Sequence, residues 1–311
     1  MKKFLLVLSL LTIIFPLYTK ASDTARSSIV MDIDSGRALY EKNANEKRLI
    51  ASTTKIMTAL LALESGKLNE MVEAKDEILK MYGTSIYLSL HEKMRLEDLV
   101  YGLLLRSGND AAVVIATYIS GSEEAFVKEM NKKAKEIGML NTTFQNAHGL
   151  DEETQNYSTA HDMALLSSYV YKNFKKYRTI TKTYKYQVQT KEKSYLWYNR
   201  NKLLKSYEYC TGGKNGYTPS AGKTLVTTAS KDGLNLTVVT LKDGDEYNTH
   251  KELYELMFNK YKSYKLIDKD NFNIDDKKLK DKVYINKSFT YPLTEEEKNH
   301  IEIKTKVDTN I

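Results

Sequence analysis

The sequence predicts an α+β domain in which an antiparallel sheet packs against a cluster of helices. Segments with helical periodicity are concentrated in the middle of the 311-residue chain, and strand-like segments lie near both ends, an order typical of this fold class. Hydrophobic residues make up 41% of the chain and only three residues are proline. The chain can therefore form a substantial core, and we expect no long disordered segment.

The first half of the chain combines a predicted hairpin with several helices. Residues 28–33 and 37–40 are strand-like and flank a short turn. Residues 52–65 carry apolar side chains at helical spacing and on most other sides as well, which indicates a buried, central helix. Further helices are predicted over residues 96–105, 110–119, 122–138 and 159–171.

The second half of the main domain is predicted to be richer in strands. Strand-like segments cover residues 184–190, 223–230 and 234–241, and the last two are joined by a turn that contains Asp232 and Gly233. A helix over residues 250–261 closes the domain.

The main domain is predicted to cover residues 22–262, followed by a small appendage. Residues 263–311 are rich in lysine and aspartate and contain short strand-like runs at 283–285 and 301–307. We therefore predict a β-rich C-terminal appendage over residues 263–311.

The N-terminus has the composition of a signal peptide. Two lysines precede an apolar run over residues 4–17, and Thr19 and Ala21 supply small side chains before a cleavage site that follows Ala21. The apolar run is shorter than a comfortable membrane span. We therefore predict that residues 1–21 are removed, that the chain works outside the cytoplasm at the cell wall or membrane surface, and that no clear membrane anchor remains.

Charge, cysteine and histidine content argue against several classes of protein. The net charge is +7, and loss of the three lysines within residues 1–21 would leave +4. No basic stripe is interleaved with aromatic side chains, so we expect a solvated lysine-rich surface and no nucleic-acid partner. Cys210 is the only cysteine, which excludes an internal disulfide, and we expect it to be a small buried side chain. His148 and His161 lack metal-ligand spacing, so neither a metal nor another cofactor is expected.

Ser52 and Lys55 form the first candidate catalytic pair. A spacing of three residues near the start of a helix places both side chains on one face. Serine becomes a nucleophile when a base takes its proton, and lysine can be that base if burial or a neighbouring cation lowers its pKa by about three units. The pattern is common by chance, but this lysine lies on an otherwise apolar helix, which argues against a solvated side chain.

A second candidate motif, Ser107-Gly108-Asn109, lies between two predicted apolar helices. By itself it would be an ordinary turn and helix cap. Its functional interpretation is a second hydroxyl that relays a proton to a leaving amine, beside an amide that orients the substrate.

A third motif, Lys214-Asn215-Gly216, is followed by Tyr217 and Thr218 and then by a strand-like run. By itself it would be a loop lysine before a turn glycine. At a strand edge, however, an extended peptide can lie alongside, with its carboxylate near the lysine and hydroxyl donors.

Together the three motifs, in this order, resemble the low-molecular-mass penicillin-binding proteins, specifically the D-alanyl-D-alanine carboxypeptidase family. The most specific similar stretch covers residues 101–112, and shorter ones lie at residues 83–85, 147–150 and 157–160. The resemblance extends over about residues 28–261. It implies a β-lactamase/DD-peptidase-like catalytic domain that needs no cofactor.

The resemblance also implies a mechanism. Ser52 would attack the carbonyl carbon between the two D-alanines of a peptidoglycan stem peptide, with Lys55 as general base, and the backbone amides of Ser52 and Tyr217 would form the oxyanion hole. Water would then hydrolyse the acyl-enzyme, while β-lactams such as penicillins would be trapped on the same serine. The remaining assignments are Ser107 for protonating the departing D-alanine, Asn109 for orienting the peptide, and Lys214 with Thr218 for holding the terminal carboxylate.

The chain departs from the family pattern at one position. The family usually has Lys-Thr-Gly in the third motif, whereas here Asn215 precedes Gly216. An asparagine amide can still donate a hydrogen bond to a carboxylate, but it is longer than a threonine hydroxyl and its donor sits differently. We predict reduced or altered penicillin affinity rather than loss of activity.

Two alternatives remain open. A class A β-lactamase would carry Ser-Asp-Asn where this chain has Ser107-Gly108-Asn109, and a glutamate where this chain has Ile137, ahead of Leu140 and Asn141. Both differences favour the carboxypeptidase. The other alternative is a wall-binding protein that keeps the fold without turnover, an interpretation that Asn215 and the short appendage leave open.

Overall fold

The computed structural model describes residues 23–271 and 285–302. The predicted signal peptide therefore lies outside the described residues. The strands are, in chain order, β1 (Ser27–Asp32), β2 (Ala38–Lys42), β3 (Arg48–Leu49), β4 (Met71–Glu73), β5 (Lys93–Arg95), β6 (Tyr157–Ser158), β7 (Lys185–Gln189), β8 (Ser194–Tyr198), β9 (Cys210–Thr218), β10 (Gly222–Lys231), β11 (Leu234–Asp243), β12 (Lys262–Ile267) and β13 (Phe289–Leu293).

In the described residues, the helices lie mainly between β2 and β9, with two more after β11. They are α1 (Lys55–Glu64), α2 (Leu96–Tyr101), α3 (Asn109–Ser120), α4 (Glu123–Glu136), α5 (Ala160–Asn173), α6 (Lys175–Lys182), α7 (Leu203–Ser206), α8 (Glu246–Lys260) and α9 (Glu295–Lys298). Short 3-10 turns cover Ala51–Thr54, Asp76–Lys80 and Lys269–Asn271, and a π-helical turn covers Gly102–Arg106.

The main sheet is antiparallel and has the strand order β2-β1-β11-β10-β9. The predicted hairpin at the start of the chain forms β1 and β2, and the turn containing Asp232 joins β10 to β11 as predicted. The sheet therefore brings together the two ends of the main domain, and its β9 edge remains open for the site described below.

Alternating side chains of the central strands enter two separate cores. Ile29 and Met31 of β1 pack among the helices α1–α6, whereas Val30 packs on the other face with Tyr254 and Phe258 of α8. A strand covered on both faces has no side exposed to solvent, which explains why every residue of β1 is buried. The domain thus has three layers, with α8, the sheet and the helical cluster in that order.

Several predicted helices are confirmed, and their caps explain where they begin. The helices predicted over residues 110–119, 122–138 and 159–171 correspond to α3, α4 and α5. The side chain of Ser122 accepts a hydrogen bond from Ala125 N at the start of α4, and Thr159 accepts one from Asp162 N at the start of α5. The helix predicted over residues 250–261 is α8, which begins four residues earlier.

Two predicted helices are interrupted. The helix predicted over residues 52–65 begins as the 3-10 turn Ala51–Thr54 and becomes α-helical at Lys55. The helix predicted over residues 96–105 ends at Tyr101 and continues as the π-helical turn. A side chain at Gly102 would lie 2.9 Å from Ile86 and 3.2 Å from Trp197, so this turn packs closely against neighbouring elements. π-helical turns are frequent at functional sites.

The small C-terminal unit differs from its predicted form. Its strands are β12 and β13, which pair antiparallel, rather than the runs predicted at 283–285 and 301–307. Ile285, Ile301 and Glu302 are not in strands, and the other residues of those two runs lie outside the described residues. The boundary between main domain and appendage remains a prediction.

Candidate active site

Ser52 lies on a turn that precedes the central helix. The hydroxyls of Thr53 and Thr54 donate to the carbonyls three residues earlier, at 2.6 and 2.8 Å, and these bonds favour a tight turn over a regular helix. Ala51 has a left-handed backbone with φ of 46°. Because a side chain at Gly149 would lie 2.0 Å from Ala51 O, only glycine fits beside this turn.

Lys55 lies one turn after Ser52, and its side chain is fully buried. Its Nζ donates to Ser52 Oγ at 3.1 Å, to Asn109 Oδ1 at 2.7 Å and to the carbonyl oxygen of His148. Burial lowers the pKa of Lys55 to about 7, the charge of Asp110 acts in the opposite direction, and the charge of Arg200 lowers the pKa further. A substantial fraction of this amine is therefore neutral near pH 7, as a general base requires.

The second motif joins the π-helical turn to α3. Ser107 is buried and has a left-handed backbone with φ of 67°, which ends the turn and lets Asn109 begin the next helix. The amide of Asn109 is engaged at both ends, because Oδ1 accepts from Lys55 and Nδ2 donates to Tyr82 O at 2.7 Å. Asn109 thus positions Lys55, whereas its predicted contact with a peptide remains a prediction.

The third motif lies within β9, a strand that sequence reasoning placed only as a strand edge. Gly216 pairs with Thr224 of β10. A side chain at Gly216 would lie 2.8 Å from Ser52 N and 2.6 Å from Thr224 Oγ1, so glycine lets the edge strand contact the turn that carries Ser52. This close packing brings β9 to the amide of Ser52, whereas the oxyanion hole formed by the amides of Ser52 and Tyr217 remains a prediction.

Lys214 is buried on β9, and its Nζ donates to Asn215 O at 2.6 Å. Burial and the charges of Lys55 and Arg200 hold its pKa well below the usual value for lysine. Three basic groups thus lie close enough to influence one another. Burial, with the neighbouring positive charges, disfavours the charged forms of Lys55 and Lys214, and a bound anion would favour the charged form of Lys214.

Thr218 does not present a free hydroxyl in this structure. Its Oγ1 donates to Asp151 Oδ2 at 2.6 Å and accepts from Ala221 N at 3.1 Å. The only proton of the hydroxyl is therefore already used, and binding of a carboxylate would require that bond to Asp151 to break. Tyr217, by contrast, is 65% exposed and lies next to the site on the open edge of the sheet.

Several residues of the site had no recognisable signal in the sequence. Arg200 follows β8, is exposed and donates to Thr84 Oγ1 at 3.2 Å. Asp151 and the carbonyl of His148 come from one turn, which Asn146 stabilises by accepting from the amides of His148 and Gly149. Only the resemblance at residues 147–150 pointed to this turn, and nothing pointed to Arg200.

His148 acts through its backbone, and its imidazole is neutral. Burial and the charge of Lys55 lower the pKa of His148 to about 3, and its Nδ1 accepts from Leu150 N at 3.0 Å. Over residues 23–271 and 285–302, no group of three His, Cys, Asp or Glu side chains is placed to hold a metal ion. Cys210 is buried at the start of β9, as predicted.

Comparisons with known proteins show the family of this chain. A family model described as D-alanyl-D-alanine carboxypeptidase matches residues 18–245. The chain is 42% identical over 224 residues to D-alanyl-D-alanine carboxypeptidase DacF of Bacillus subtilis, covering 69% of this chain and 56% of that protein. It is 37% identical over 229 residues to DacC of Escherichia coli, covering 70% of this chain and 56% of that protein.

A solved structure shows that the fold is also shared with this family. The D-alanyl-D-alanine carboxypeptidase from Mycobacterium tuberculosis aligns with a TM-score of 0.73 at 30% identity, covering 76% of this chain and 92% of that chain. The predicted DD-peptidase-like fold is thereby confirmed. The chain spans a little over half the length of the two curated relatives named above. The chain belongs to the D-alanyl-D-alanine carboxypeptidase family.

Proposed function

We propose that this protein is a serine DD-carboxypeptidase that removes the terminal D-alanine from peptidoglycan stem peptides. One observation carries the proposal: the buried amine of Lys55, with a pKa of about 7, lies 3.1 Å from the hydroxyl oxygen of Ser52. An unprotonated lysine at hydrogen-bonding distance can take the serine proton as the hydroxyl attacks.

The reaction would proceed in two halves. In the first, Ser52 Oγ forms a bond to the carbonyl carbon between the two D-alanines while Lys55 Nζ receives the hydroxyl proton. The C–N bond then breaks, and the departing amine of D-alanine takes up a proton, supplied by Lys55 through the hydroxyl of Ser107. In the second half, water attacks the ester carbonyl carbon and gives a proton to Lys55. The bond to Ser52 Oγ then breaks, the proton passes from Lys55 to Ser52 Oγ, and the shortened peptide is released as a free acid.

Recognition of the terminal carboxylate would fall to the basic groups beside the nucleophile. Lys214 supplies a buried amine whose charged form a bound carboxylate would favour, and Arg200 supplies an exposed guanidinium that can bind a carboxylate with two hydrogen bonds. Asn215 is half-buried next to Lys214, so its amide can donate where the family usually has threonine. Thr218 would join these groups after releasing Asp151.

The site of action would be outside the cytoplasm. The predicted signal peptide, the proposed stem-peptide substrate and the family all suit an enzyme at the cell wall or membrane surface. In the part of the chain that the structure describes, none of the helices has both the length and the apolar character of a membrane span. β-Lactams would act as inhibitors by acylating Ser52.

The test is release of D-alanine from a pentapeptide that ends in D-Ala-D-Ala. We expect release by the wild-type protein and loss of at least about a thousandfold in Ser52→Ala, because no other nucleophile replaces the hydroxyl. Ser65→Ala is a matched control, since Ser65 caps the far end of α1, where its hydroxyl donates to Ala62 O and accepts from Lys67 N. Release that persists in Ser52→Ala would contradict the proposal.

Mass spectrometry of the penicillin-treated mature protein gives a second reading. It reports the true N-terminus, expected after residue 21, and the position of any acyl adduct, expected on Ser52. An adduct on Ser52 without any release of D-alanine would instead support the alternative, a penicillin-binding wall protein without turnover. The bond between Thr218 and Asp151 is the observation that favours this alternative.

A further inference from the structure

Residues 82–90 form a loop beside the proposed catalytic cleft, the cleft loop. Its first residues are hydrogen-bonded to the second motif. Tyr82 O accepts from Asn109 Nδ2 at 2.7 Å, and Thr84 O accepts from Asn109 N at 2.8 Å. Further along, the amides of Ile86 and Leu88 donate to the carboxylate of Asp110, both at 3.0 Å. The conformation of the cleft loop is therefore coupled to Asn109, which holds Lys55.

The cleft loop carries backbone strain. Tyr87 has a left-handed backbone, with φ of 64°, a region that residues other than glycine, asparagine, aspartate and histidine rarely adopt. Such conformations persist when surrounding contacts hold them in place. The bonds from Asn109 and Asp110 of α3 do not reach Tyr87 itself, so other contacts hold its left-handed backbone in place.

Glu92 supplies contacts to the later part of the loop. Its side chain is fully buried, and its carboxylate accepts from Tyr195 OH at 2.8 Å, from Thr190 Oγ1 at 2.7 Å and from Ser89 N at 2.9 Å. Two of these donors belong to the hairpin formed by β7 and β8, and the third belongs to the cleft loop. A single buried carboxylate thus joins the hairpin to the loop.

Lys193, at the tip of the same hairpin, completes the junction. Its Nζ lies 3.7 Å from Glu92 Oε2, donates to Ser89 Oγ at 3.2 Å and donates to the carbonyl of Tyr87. The ammonium balances the buried charge of Glu92 and bonds the strained part of the cleft loop directly. These groups are not part of the proposed reaction, and they bond the loop at Tyr87 and Ser89, whereas Asn109 bonds it at Tyr82 and Thr84.

We propose that Glu92 is a positioning residue that fastens the β7–β8 hairpin to the cleft loop through Tyr195 and Thr190. The junction holds the loop against Asn109 and so keeps the substrate side of the cleft in shape. This inference rests on the proposed function only in taking the cleft beside Ser52 as the place where substrate binds.

The test compares two tyrosines of one hairpin that both donate to a carboxylate. Tyr195 donates to Glu92, whereas Tyr186 donates at 2.5 Å to Asp98 of α2, outside the cleft loop. We expect Tyr195→Phe to raise KM for the pentapeptide about fivefold while kcat changes less than about twofold, because a charged hydrogen bond to the loop is lost. Tyr186→Phe should leave KM unchanged. Glu92→Gln should behave like Tyr195→Phe, with a larger effect.

Hydrogen exchange provides a reading that does not depend on catalysis. The amides of Ile86 and Leu88 should exchange about tenfold faster in Tyr195→Phe than in the wild type or in Tyr186→Phe. Equal changes in both tyrosine variants, or a fall in kcat with constant KM and unchanged exchange, would show a merely structural bond and overturn the proposal. If the wild type released no D-alanine, the proposed function would fail, and the exchange comparison would still decide the role of Glu92.

Discussion

At the scale of single residues, the amine of Lys55 is the group on which the chemistry depends. Its side chain has no contact with solvent, so the folded protein disfavours its charged form. Asp110 and Arg200 act on it with opposite signs. Burial, adjusted by these two charges, lowers the pKa of Lys55 to about 7. The acylation rate should rise as the pH passes upward through that value, because only the neutral amine accepts the serine proton.

Removing Arg200 should shift that pH dependence. The charge of Arg200 lowers the pKa of Lys55, so Arg200→Gln raises it, and the rising limb of the acylation rate moves to higher pH. At saturating β-lactam we expect acylation to be about threefold slower at pH 6 and unchanged above about pH 8. Saturation separates this effect from any loss of substrate binding.

Lys202→Gln is the matched control, because Lys202 is an exposed cation two residues away whose charge is not among the influences on Lys55. If the pH dependence of acylation were unchanged in Arg200→Gln, or shifted equally in Arg200→Gln and Lys202→Gln, the charge of Arg200 would not set the pKa of Lys55.

At the scale of elements, the site depends on close approach between one turn and two glycines. The turn Ala51–Thr54 is approached by Gly149 on one side and by Gly216 of β9 on the other. Neither position has room for a methyl group. The position of Ser52 is thus set by backbone packing between three segments, the turn itself, the segment at Gly149 and β9.

This packing predicts an unequal cost for two glycine substitutions. Gly149 and Gly138 have nearly the same left-handed backbone, with φ of 86° and 87°, but a side chain at Gly138 would meet nothing closer than 3.9 Å. Gly138→Ala should therefore lose about 1 kcal/mol of unfolding free energy, the cost of the backbone conformation alone. Gly149→Ala should lose at least about 3 kcal/mol, because the turn must also move.

Urea unfolding of both variants gives these free energies directly. Similar losses for the two variants would mean that the turn at Ala51 can move aside easily, and that the position of Ser52 is less constrained than the packing indicates.

At the scale of the whole molecule, Arg37 connects the main domain to the C-terminal unit. Its guanidinium lies between the rings of Tyr261 and Tyr291, 5.3 Å from each centroid, and pairs with Glu297 through both of its terminal nitrogens. It also donates to Pro292 O at 2.7 Å. Because Glu297 caps α9 as well, one side chain from the first hairpin organises β13 and α9.

Arg37→Ala should therefore release the C-terminal unit while leaving the main domain folded. We expect proteolysis after residue 261 to become about tenfold faster, with little change in D-alanine release. Arg178→Ala is the control, since Arg178 also lies over a tyrosine ring, Tyr171, but links neighbouring helices of the main domain. Unchanged cleavage in Arg37→Ala would mean that pairing of β12 with β13 suffices to hold the unit.

Much of the architecture could be predicted because it follows from local patterns. The stripe of Phe126, Met130 and Ala134 marks α4, and the turn at Asp232 and Gly233 marks the β10–β11 hairpin. The strand β9 was harder to recognise, because three glycines and a lysine leave it without an apolar alternation. The appendage strands were misplaced because that segment has no buried face long enough to show a period.

The sequence alone determined the order of the three motifs, the buried character of the helix that carries Lys55, and thereby the family. The tertiary structure decided which groups surround that amine. The carbonyl of His148, the charge of Arg200 and the bond between Asp151 and Thr218 all join residues more than 60 positions apart. Local periodicity states which face of an element is buried and does not state which element covers it, so contacts of this range are settled only when the layers pack.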